Sequence, residues 1–233
     1  MTILVVDDEK EIADLVEVVL QKEGHTVHKY YNGTGALVTQ KDVNKLIRKL
    51  KGSLKEGDWL AVCGSVTPTL PSTTYADIFK KLKGIPNLNL VVDTNGKLLT
   101  ETLKYKPFLI KPNIYELCEV FGLSAIPDIE GVFYHARRLQ NMGARNVIVS
   151  MGSSGAAMVT ETSQSIYVRA ARGQLVNSVG ACDSMVAGFI HEYISSGNYF
   201  SALNFATAAG SACAFTKNLA NRAQIEYVES LML

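Results

Sequence analysis

The sequence is poor in the features that mark several classes of protein. Its formal net charge is only +1, because 23 Lys and Arg face 22 Asp and Glu, so it lacks the basic surplus of a nucleic-acid-binding protein. The opening residues MTILVVDDEK contain no cationic leader followed by a long apolar run, and no membrane span is evident. These absences predict no nucleic-acid partner, no membrane partner and a cytoplasmic location.

Cysteine and histidine are also scarce. Neither residue type shows the spacing of metal ligands, and the cysteines stand in apolar or small-residue contexts. We therefore expect reduced thiols rather than a disulfide framework, and histidines at the surface or on helix faces. The residues concerned are Cys63, Cys118, Cys182 and Cys213, and His25, His28, His135 and His191.

What the sequence does contain is an alternation of two patterns. Apolar runs of strand length alternate with segments whose apolar residues recur every three or four positions, most of them ending at glycine. Parallel strands covered by helices have such continuous apolar runs. The alternation predicts an α/β fold with a doubly wound, mostly parallel sheet, in a single domain over residues 1–233. The predicted strands are ILVV, DWLAVCG, LNLVVD, PFLIKP and NVIVSMG.

The pattern changes after Gly155. The segments AAMVT and SIYVRAA, separated by ETSQ, predict a short antiparallel hairpin at one edge of the sheet. Two segments rich in Ala, Gly and Ser follow, NSVGACDSMVAGFIHEYISSG and SALNFATAAGSACAFTKN. Small residues allow helices to approach closely, so we expect these two helices to be buried.

Polar residues that could bind a ligand follow most of the predicted strands. In open α/β sheets, ligands bind beyond the carboxyl ends of the strands. Glycines and backbone N–H groups can bind phosphate, and carboxylates and amides can organise Mg²⁺ through water, so this inventory indicates phosphate chemistry. The groups are Asp7 and Asp8; residues 93–96; Lys111, Pro112, Asn113 and Glu116; residues 152–155; and residues 180–183.

The most informative of these groups lies in NSVGACDSMVAGF, residues 177–189. A small-residue turn that leads into a helix presents backbone N–H groups to an anion, and the helix dipole adds to the attraction. Asp183 would then stand beside a bound phosphate, where a general base is needed. The same residues also fit a plain N-terminal capping turn.

The other groups have structural alternatives as well. Gly-Ser-Ser-Gly between two strands is often only a turn. Asn113 and Glu116, three residues apart, have the pattern of a capping box. Asp7 and Asp8 could simply cap the first helix. The sequence leaves each alternative open.

Residues from about 37 to 233 resemble the ribokinase-like sugar kinases, in the phosphofructokinase B branch that includes 1-phosphofructokinase and tagatose-6-phosphate kinase. Several motifs carry the resemblance over most of the chain and in the family's order. They are GDWLAVCGSV, VVDTNGKLL, PFLIKPNIYELCEVFG, NVIVSMGSSGAAMV, VNSVGACDSMVAGF and SALNFATAAGSACAF.

The resemblance implies an ATP-dependent phosphosugar kinase that uses Mg²⁺ and binds ATP or ADP. Asp183 would be the catalytic base, and the backbone of Gly180, Ala181 and Cys182 would form the anion hole. Asn113 and Glu116 would hold Mg²⁺ through water. The nucleotide and its phosphates would be bound by Ser150, Gly152, Gly155 and Lys111.

Two motifs depart from the family. Its Gly-Ala-Gly-Asp sequence has Cys182 in the third position here, where a side chain could crowd the γ-phosphate or deny the backbone a conformation that only glycine adopts. GSVTPTLP replaces the usual Gly-Ser-Leu-Pro-Pro-Gly, which ordinarily faces the sugar. The family's N-terminal sugar-binding half is missing, so we expect nucleotide binding with weak or lost turnover and little affinity for a phosphosugar.

Residues 1 to about 36 resemble instead the first strand–helix–strand of a bacterial response-regulator receiver, which has a flavodoxin-like fold. Asp7 and Asp8 would match its acidic Mg²⁺ pair as vestigial residues, since no phosphoacceptor aspartate follows. The combination indicates a chimera of two fragments sharing one sheet, and the alternative to a nucleotide-binding protein is an engineered fold chimera without activity. An exposed sheet edge where the kinase lid would lie could also form a homodimer.

Overall fold

A computed structural model describes residues 2–7, 26–31 and 38–232, and for the first two segments it describes the backbone strands alone. The chain divides into two compact units, and the prediction of a single domain is not tested by this division. Unit 1 comprises residues 1–110 and 138–146, and unit 2 comprises residues 111–137 and 147–233.

Unit 1 is built on five parallel strands in the order β2-β1-β3-β4-β5. All five residues of β3 are buried, as expected for a strand covered on both faces. The strands are β1 (Thr2–Asp7), β2 (Thr26–Tyr31), β3 (Trp59–Cys63), β4 (Asn89–Asp93) and β5 (Leu109–Ile110).

The described helices of unit 1 follow its strands along the chain. Helix α1 starts at a capping box between Thr39 and Asp42, and it buries Val43, Ile47 and Leu50, which lie three or four residues apart on one face. The helices are α1 (Gln40–Ser53), α2 (Thr74–Leu82) and α3 (Gly96–Thr100), and a 3-10 turn covers Leu103–Tyr105.

Unit 2 contains an antiparallel arrangement of three strands. Strand β7 is buried throughout, and it pairs with β6 on one side and β8 on the other. The strands are β6 (Asn146–Ser150), whose first residue belongs to unit 1, β7 (Ala156–Val159) and β8 (Ser165–Val168). The predicted hairpin is confirmed.

The small-residue helices of unit 2 pack closely against each other, as the sequence predicts. A Cβ atom on Gly188 would lie 3.0 Å from the Cβ of Ala209, so glycine permits this approach. A further helix packs on the second of them, where Ile225 and Val228 join a buried cluster with Phe205. The helices are α4 (Ile114–Phe121), α5 (Ile129–Asn141), whose residues from Arg138 onward belong to unit 1, α6 (Ala181–Ser196), α7 (Tyr199–Ala214) and α8 (Arg222–Ser230).

The α/β fold with mostly parallel strands and a short antiparallel hairpin is therefore confirmed, whereas α3 and α8 were not predicted. The segment EKEIADLVEVVLQKEG has the three- and four-residue spacing of apolar residues that predicts a helix, and it lies outside the described residues. His191 is not at the surface: it is buried, with its ring 5.5 Å from that of Phe205. Among the described residues, no helix combines the length and the hydropathy needed to cross a membrane.

Candidate functional site

The N-terminus of α6 is the centre of the candidate site. Gly180 is its N-cap and takes a left-handed conformation, with φ of 79°. The helix begins when the N–H of Ser184 donates to the Gly180 carbonyl oxygen at 2.9 Å. Asp183 is the third residue of the helix and is half-buried. Glycine has no side chain with which to cap the first turn, unlike the Ser, Thr, Asp or Asn usual at this position.

This arrangement suits an anion. The first N–H groups of a helix have no partner within it and point away from the helix along its axis. In α6 the Ala181 N–H donates to the carbonyl oxygen of Ser178, outside the helix, at 3.2 Å, so a bound anion would share or replace that bond. A helix of 16 residues adds its dipole, which is positive at this end. A phosphate here would lie beside the Asp183 carboxylate, so the turn brings together an electrostatic anchor and a proton acceptor.

Cys182 lies within the first turn of α6. It is the second residue of the helix and exposed. Of the described residues other than glycine, only Asn87, Lys106 and Ser163 have positive φ, so Cys182 takes an ordinary backbone conformation. That the cysteine denies the turn a conformation which glycine could adopt stays a prediction. Crowding of an anion by the thiol is a separate matter and stays a prediction.

A second cysteine lies beneath the same turn. Cys213 in α7 is buried, and its Sγ donates to the carbonyl oxygen of Val179 at 3.5 Å. Burial raises the pKa of the Cys213 thiol, and the negative charge of Asp183 adds to this effect. A hydrogen bond from Ser184 and one from the Ala220 backbone act in the opposite direction without reversing it. The protonated thiol is therefore available as a hydrogen-bond donor to the turn.

Asn113 and Glu116 form the capping box that the sequence left as an alternative. The Oδ1 of Asn113 accepts from the N–H groups of Tyr115 and Glu116, at 2.9 Å and 3.0 Å. The Oε2 of Glu116 accepts in return from the Asn113 N–H at 2.7 Å. The box fixes the start of α4, and both side chains are half-buried. A role in holding Mg²⁺ would be added to this structural role.

Lys111 and Ser150 lie next to the same helix start. A parallel bridge pairs Asn113 with Ser150, whose N–H donates to the Pro112 carbonyl oxygen at 3.1 Å. The structure thus brings Ser150 and Asn113 together, as the prediction of a shared strand-end site requires. Lys111 is only 1% exposed, and a buried ammonium group is stable only with polar or charged partners.

Residues 152–155 form a tight turn, as the structural alternative predicted. A 3-10 turn covers Gly152–Ser154, and the turn connects β6 to β7. Gly155 is buried with φ of 95°, and a Cβ atom there would lie 2.0 Å from the Val168 carbonyl oxygen. Gly152, with φ of 56°, meets nothing within 4 Å. Gly155 is therefore a requirement of the fold, whereas the exposed Gly152 is the better candidate for contact with a ligand.

The acidic pair at the front of the chain is only partly described. Asp7 is the last residue of β1, and Asp8 lies outside the described residues. A metal-binding role for the pair stays a prediction. Sequence reasoning also missed Asn177 and Cys213, which contact the α6 turn. In a known type of turn, the side-chain oxygen of an asparagine accepts a hydrogen bond from the N–H two residues later. This pattern could have identified Asn177.

The sequence of this chain is similar to those of several known proteins. A model of pfkB family carbohydrate kinases matches residues 3–225. The 1-phosphofructokinase of Bacillus subtilis (strain 168) is 36% identical over 202 residues, which are 86% of this chain and 64% of that protein. The D-tagatose-1-phosphate kinase of Bacillus licheniformis is 29% identical over 232 residues, 96% of this chain and 74% of that protein. The chain thus spans under two thirds of the Bacillus subtilis relative.

A solved structure agrees in fold. A crystal structure from Staphylococcus aureus, of a protein assigned provisionally as a phosphofructokinase, superposes with a TM-score of 0.82 at 25% identity, and the match covers 99% of this chain and 97% of that one. The family model also takes in residues 3–36. A receiver-like origin of that segment is consequently not shown and stays a hypothesis.

Proposed function

The chain belongs to the pfkB family of carbohydrate kinases, and from that premise we propose that it binds ATP with Mg²⁺ and transfers a phosphoryl group to a hydroxyl of a sugar phosphate, with low turnover. In this proposal Asp183 takes the proton of the attacking hydroxyl. The N–H groups of Gly180, Ala181 and Cys182 stabilise the negative charge on the transferred group.

The start of α6 is the observation that carries the proposal. Gly180 has no capping side chain, so the anchoring of an anion does not compete with a side-chain cap. Asp183 stands in the first turn of the same helix, within one turn of the proposed phosphate site. A carboxylate repels a neighbouring phosphate, so Asp183 would weaken a site that only binds an anion. A site that transfers a phosphoryl group needs a base at that position.

Of the two residues proposed for Mg²⁺, Glu116 fits the ion through water, whereas the Oδ1 of Asn113 would have to give up a capping bond to do so. Asn113 Oδ1 already accepts two backbone hydrogen bonds, which use its two lone pairs. A carboxylate has about four acceptor sites, so Glu116 can accept from the Asn113 N–H and also hold a metal-bound water. Bound Mg²⁺ would neutralise charge on the phosphates, and Ser150, Gly152, Gly155 and Lys111 would place the nucleotide.

The substrate class is proposed from the relatives. The proteins matched are a 1-phosphofructokinase and a D-tagatose-1-phosphate kinase, so a ketohexose phosphate is the acceptor to try first. The departure GSVTPTLP at residues 64–71 stands where the family ordinarily faces the sugar, which favours weak binding of that acceptor.

The test has two parts. Isothermal titration with ATP and with ADP, each with and without Mg²⁺, measures nucleotide binding. A coupled assay of ADP release measures turnover with fructose 1-phosphate, fructose 6-phosphate, tagatose 1-phosphate and tagatose 6-phosphate. We expect binding of both nucleotides and slow, sugar-dependent release of ADP that the Asp183→Asn variant abolishes.

The outcomes separate clearly. Absence of nucleotide binding under all these conditions would contradict the proposal. ADP release that persists in Asp183→Asn would contradict the role of the base. A folded protein that binds ATP without any turnover would limit the function to nucleotide binding. A folded protein that neither binds nucleotide nor turns over would favour the alternative, a fold chimera without activity.

That alternative has one specific observation in its favour, since Cys182 replaces the family's glycine within the proposed anion hole. An engineered chimera of receiver and kinase fragments would be one origin of such a chain. Incubation with acetyl phosphate tests the receiver part: we expect mass spectrometry to find Asp7 and Asp8 unmodified. A homodimer stays a prediction that light scattering after size exclusion would check.

A further inference from the structure

We propose that the C-terminal end of α7 and the residues that follow it, 213–217 in all, position the turn that starts α6, with Asn177 and Cys213 as the positioning residues. The inference rests on the proposed function, because it concerns the same anion-binding turn. It adds two side chains that neither touch the substrate nor belong to the residues assigned above, and it explains how a turn that begins with a flexible glycine is held in place.

The first contacts are between backbones. The N–H groups of Val176 and Asn177 both donate to the carbonyl oxygen of Ala214, at 2.8 Å and 3.2 Å. Ala214 is the last residue of α7, where carbonyl groups have no partner within the helix. The segment before α6 therefore satisfies the end of α7, and the end of α7 in turn fixes the path of that segment.

The side chain of Asn177 adds a second tie. Its Nδ2 donates to the Lys217 carbonyl oxygen at 3.2 Å, and its Oδ1 accepts from the Val179 N–H at 3.1 Å. An amide carries a donor and an acceptor on one rigid group, so a single side chain joins the segment after α7 to the turn before α6. The bond to Val179 also closes a local turn that points the chain towards Gly180.

Cys213 contacts the other side of the same residue, Val179. Its Sγ donates to the Val179 carbonyl oxygen at 3.5 Å, so Val179 is held through its N–H by Asn177 and through its carbonyl by Cys213. The backbone of α7 also comes close here, since a Cβ atom on Gly210 would lie 3.2 Å from the Ala181 carbonyl oxygen. α7 therefore contacts the chain immediately before and immediately after Gly180.

The functional consequence follows from where Gly180 stands. Glycine adopts positive and negative φ almost equally well, so it does not by itself keep the turn in one conformation. Stabilisation of developing charge requires N–H groups that are already oriented before the reaction. Fixing Val179 on one side and Ala181 on the other supplies that orientation from outside the site.

The test uses two pairs of variants in the full chain. Asn177→Ala removes both hydrogen bonds of the amide, and Cys213→Ala removes the thiol, whereas Cys213→Ser keeps a donor of similar size. Amide hydrogen exchange of the segment 179–184, measured without ligand, reports the order of the turn. Dissociation constants for ATP and ADP report the effect on the proposed phosphate site.

We expect Cys213→Ala to speed exchange of the segment by about threefold to tenfold, the amount that one lost hydrogen bond produces. Asn177→Ala removes two hydrogen bonds and should speed exchange at least as much. Both substitutions should raise the dissociation constant of ATP more than that of ADP, because the turn is proposed to bind the transferred phosphoryl group. Cys213→Ser should restore the exchange rate and the ATP preference of the wild type. A merely structural role would lower the melting temperature without changing the ratio of the two affinities.

Asn198→Ala is the matched control, since Asn198 caps the opposite end of α7 by accepting from the Ser201 N–H at 3.0 Å. It should lower stability and leave exchange of the segment 179–184 unchanged. Unchanged exchange in both alanine variants, or no rescue by Cys213→Ser, would overturn the inference. If the wild type binds neither nucleotide, the proposed function fails and the exchange rates alone decide whether α7 positions the turn.

Discussion

Helices α4 and α6 begin in opposite ways. At α4, Asn113 and Glu116 satisfy backbone N–H groups with their own side chains in a reciprocal box. At α6, the N-cap is Gly180, which has no side chain, and the preceding residues are tied to the end of α7 instead. The first helix start is fixed by local sequence, and the second by tertiary contacts.

The difference indicates which end is suited to bind an anion. A side-chain cap occupies the N–H groups that would otherwise attract a phosphate, at a gain of about 0.5 to 2 kcal/mol in stability. A helix start without such a cap gives up that gain, and no capping side chain competes with a ligand for its N–H groups. The contrast favours a structural role for the cap of α4 and the proposed anion-binding role for the start of α6, and five predictions test it.

The largest expected effect is at Asp183. Asp183→Asn should lower turnover by about 10² to 10⁴, the usual contribution of a general base, while nucleotide binding persists. The coupled assay and titration measure the two quantities. Asp128→Asn is the control, because Asp128 Oδ1 accepts from the Gly131 N–H at the start of another helix, α5, with no proposed catalytic role. An equal loss of turnover in both variants would contradict a catalytic role specific to the start of α6.

Gly180→Ala should lower stability by about 1 to 2 kcal/mol, because an alanine in the left-handed conformation is strained. It should also weaken ATP binding, since the turn would shift to relieve that strain. Gly197→Ala is the matched control at the other end of α6, where φ is 64° and a Cβ atom would meet nothing within 4 Å. Urea unfolding should show similar losses for both, and only Gly180→Ala should change the affinity. Equal ATP affinities in the two variants would contradict a binding role for the N-terminal end of α6.

Asn113→Ala should lower the free energy of unfolding by about 1 kcal/mol through loss of the cap, and Asn113→Asp should recover most of it. The corresponding control is Asn221→Ala, because Asn221 and Gln224 form the same kind of box at α8. If Asn113 only caps α4, both alanine variants should bind ATP with Mg²⁺ as the wild type does. A selective loss in Asn113→Ala would support the proposed metal role.

Cys182→Gly should raise turnover or ATP affinity by no more than about tenfold, since removing an exposed side chain relieves crowding without creating a new contact. Glycine within a helix should at the same time lower stability by up to about 1 kcal/mol. Cys182→Ala separates the two effects, because it removes the sulfur and keeps a helix-forming residue. A fall in affinity for both variants would show that the thiol contributes to binding.

The smallest expected effect is on the pH dependence of stability. Burial raises the pKa of Cys213 above its ordinary value of 9.0, so the folded state favours the protonated thiol. That contribution is complete below the unfolded pKa and is lost as the pH rises through the folded one. Between about pH 8 and pH 9.5, below the range of unperturbed tyrosine, the wild type should lose stability faster than Cys213→Ser. Equal slopes in urea titrations would contradict this assignment.

Much of the fold could be predicted because its signals are local. The strands of unit 1 from β3 onward and the hairpin of unit 2 are continuous apolar runs bounded by turn residues. The short helices α3 and α8 were missed, since five and nine residues provide too little periodicity to stand out. The burial of His191 was missed as well, because a helix with small residues on most faces gives no indication of which face is covered.

The candidate site divides in the same way. The sequence by itself determined the capping box at Asn113, the turn at Gly155 and the placement of Asp183 in a first helical turn, since each depends on residues within a few positions of one another. Only the tertiary structure decided that Asn177 and Cys213 both contact the turn before α6. Cys213 lies 34 residues from Val179, and a contact over that separation depends on how α6 and α7 pack rather than on any local pattern.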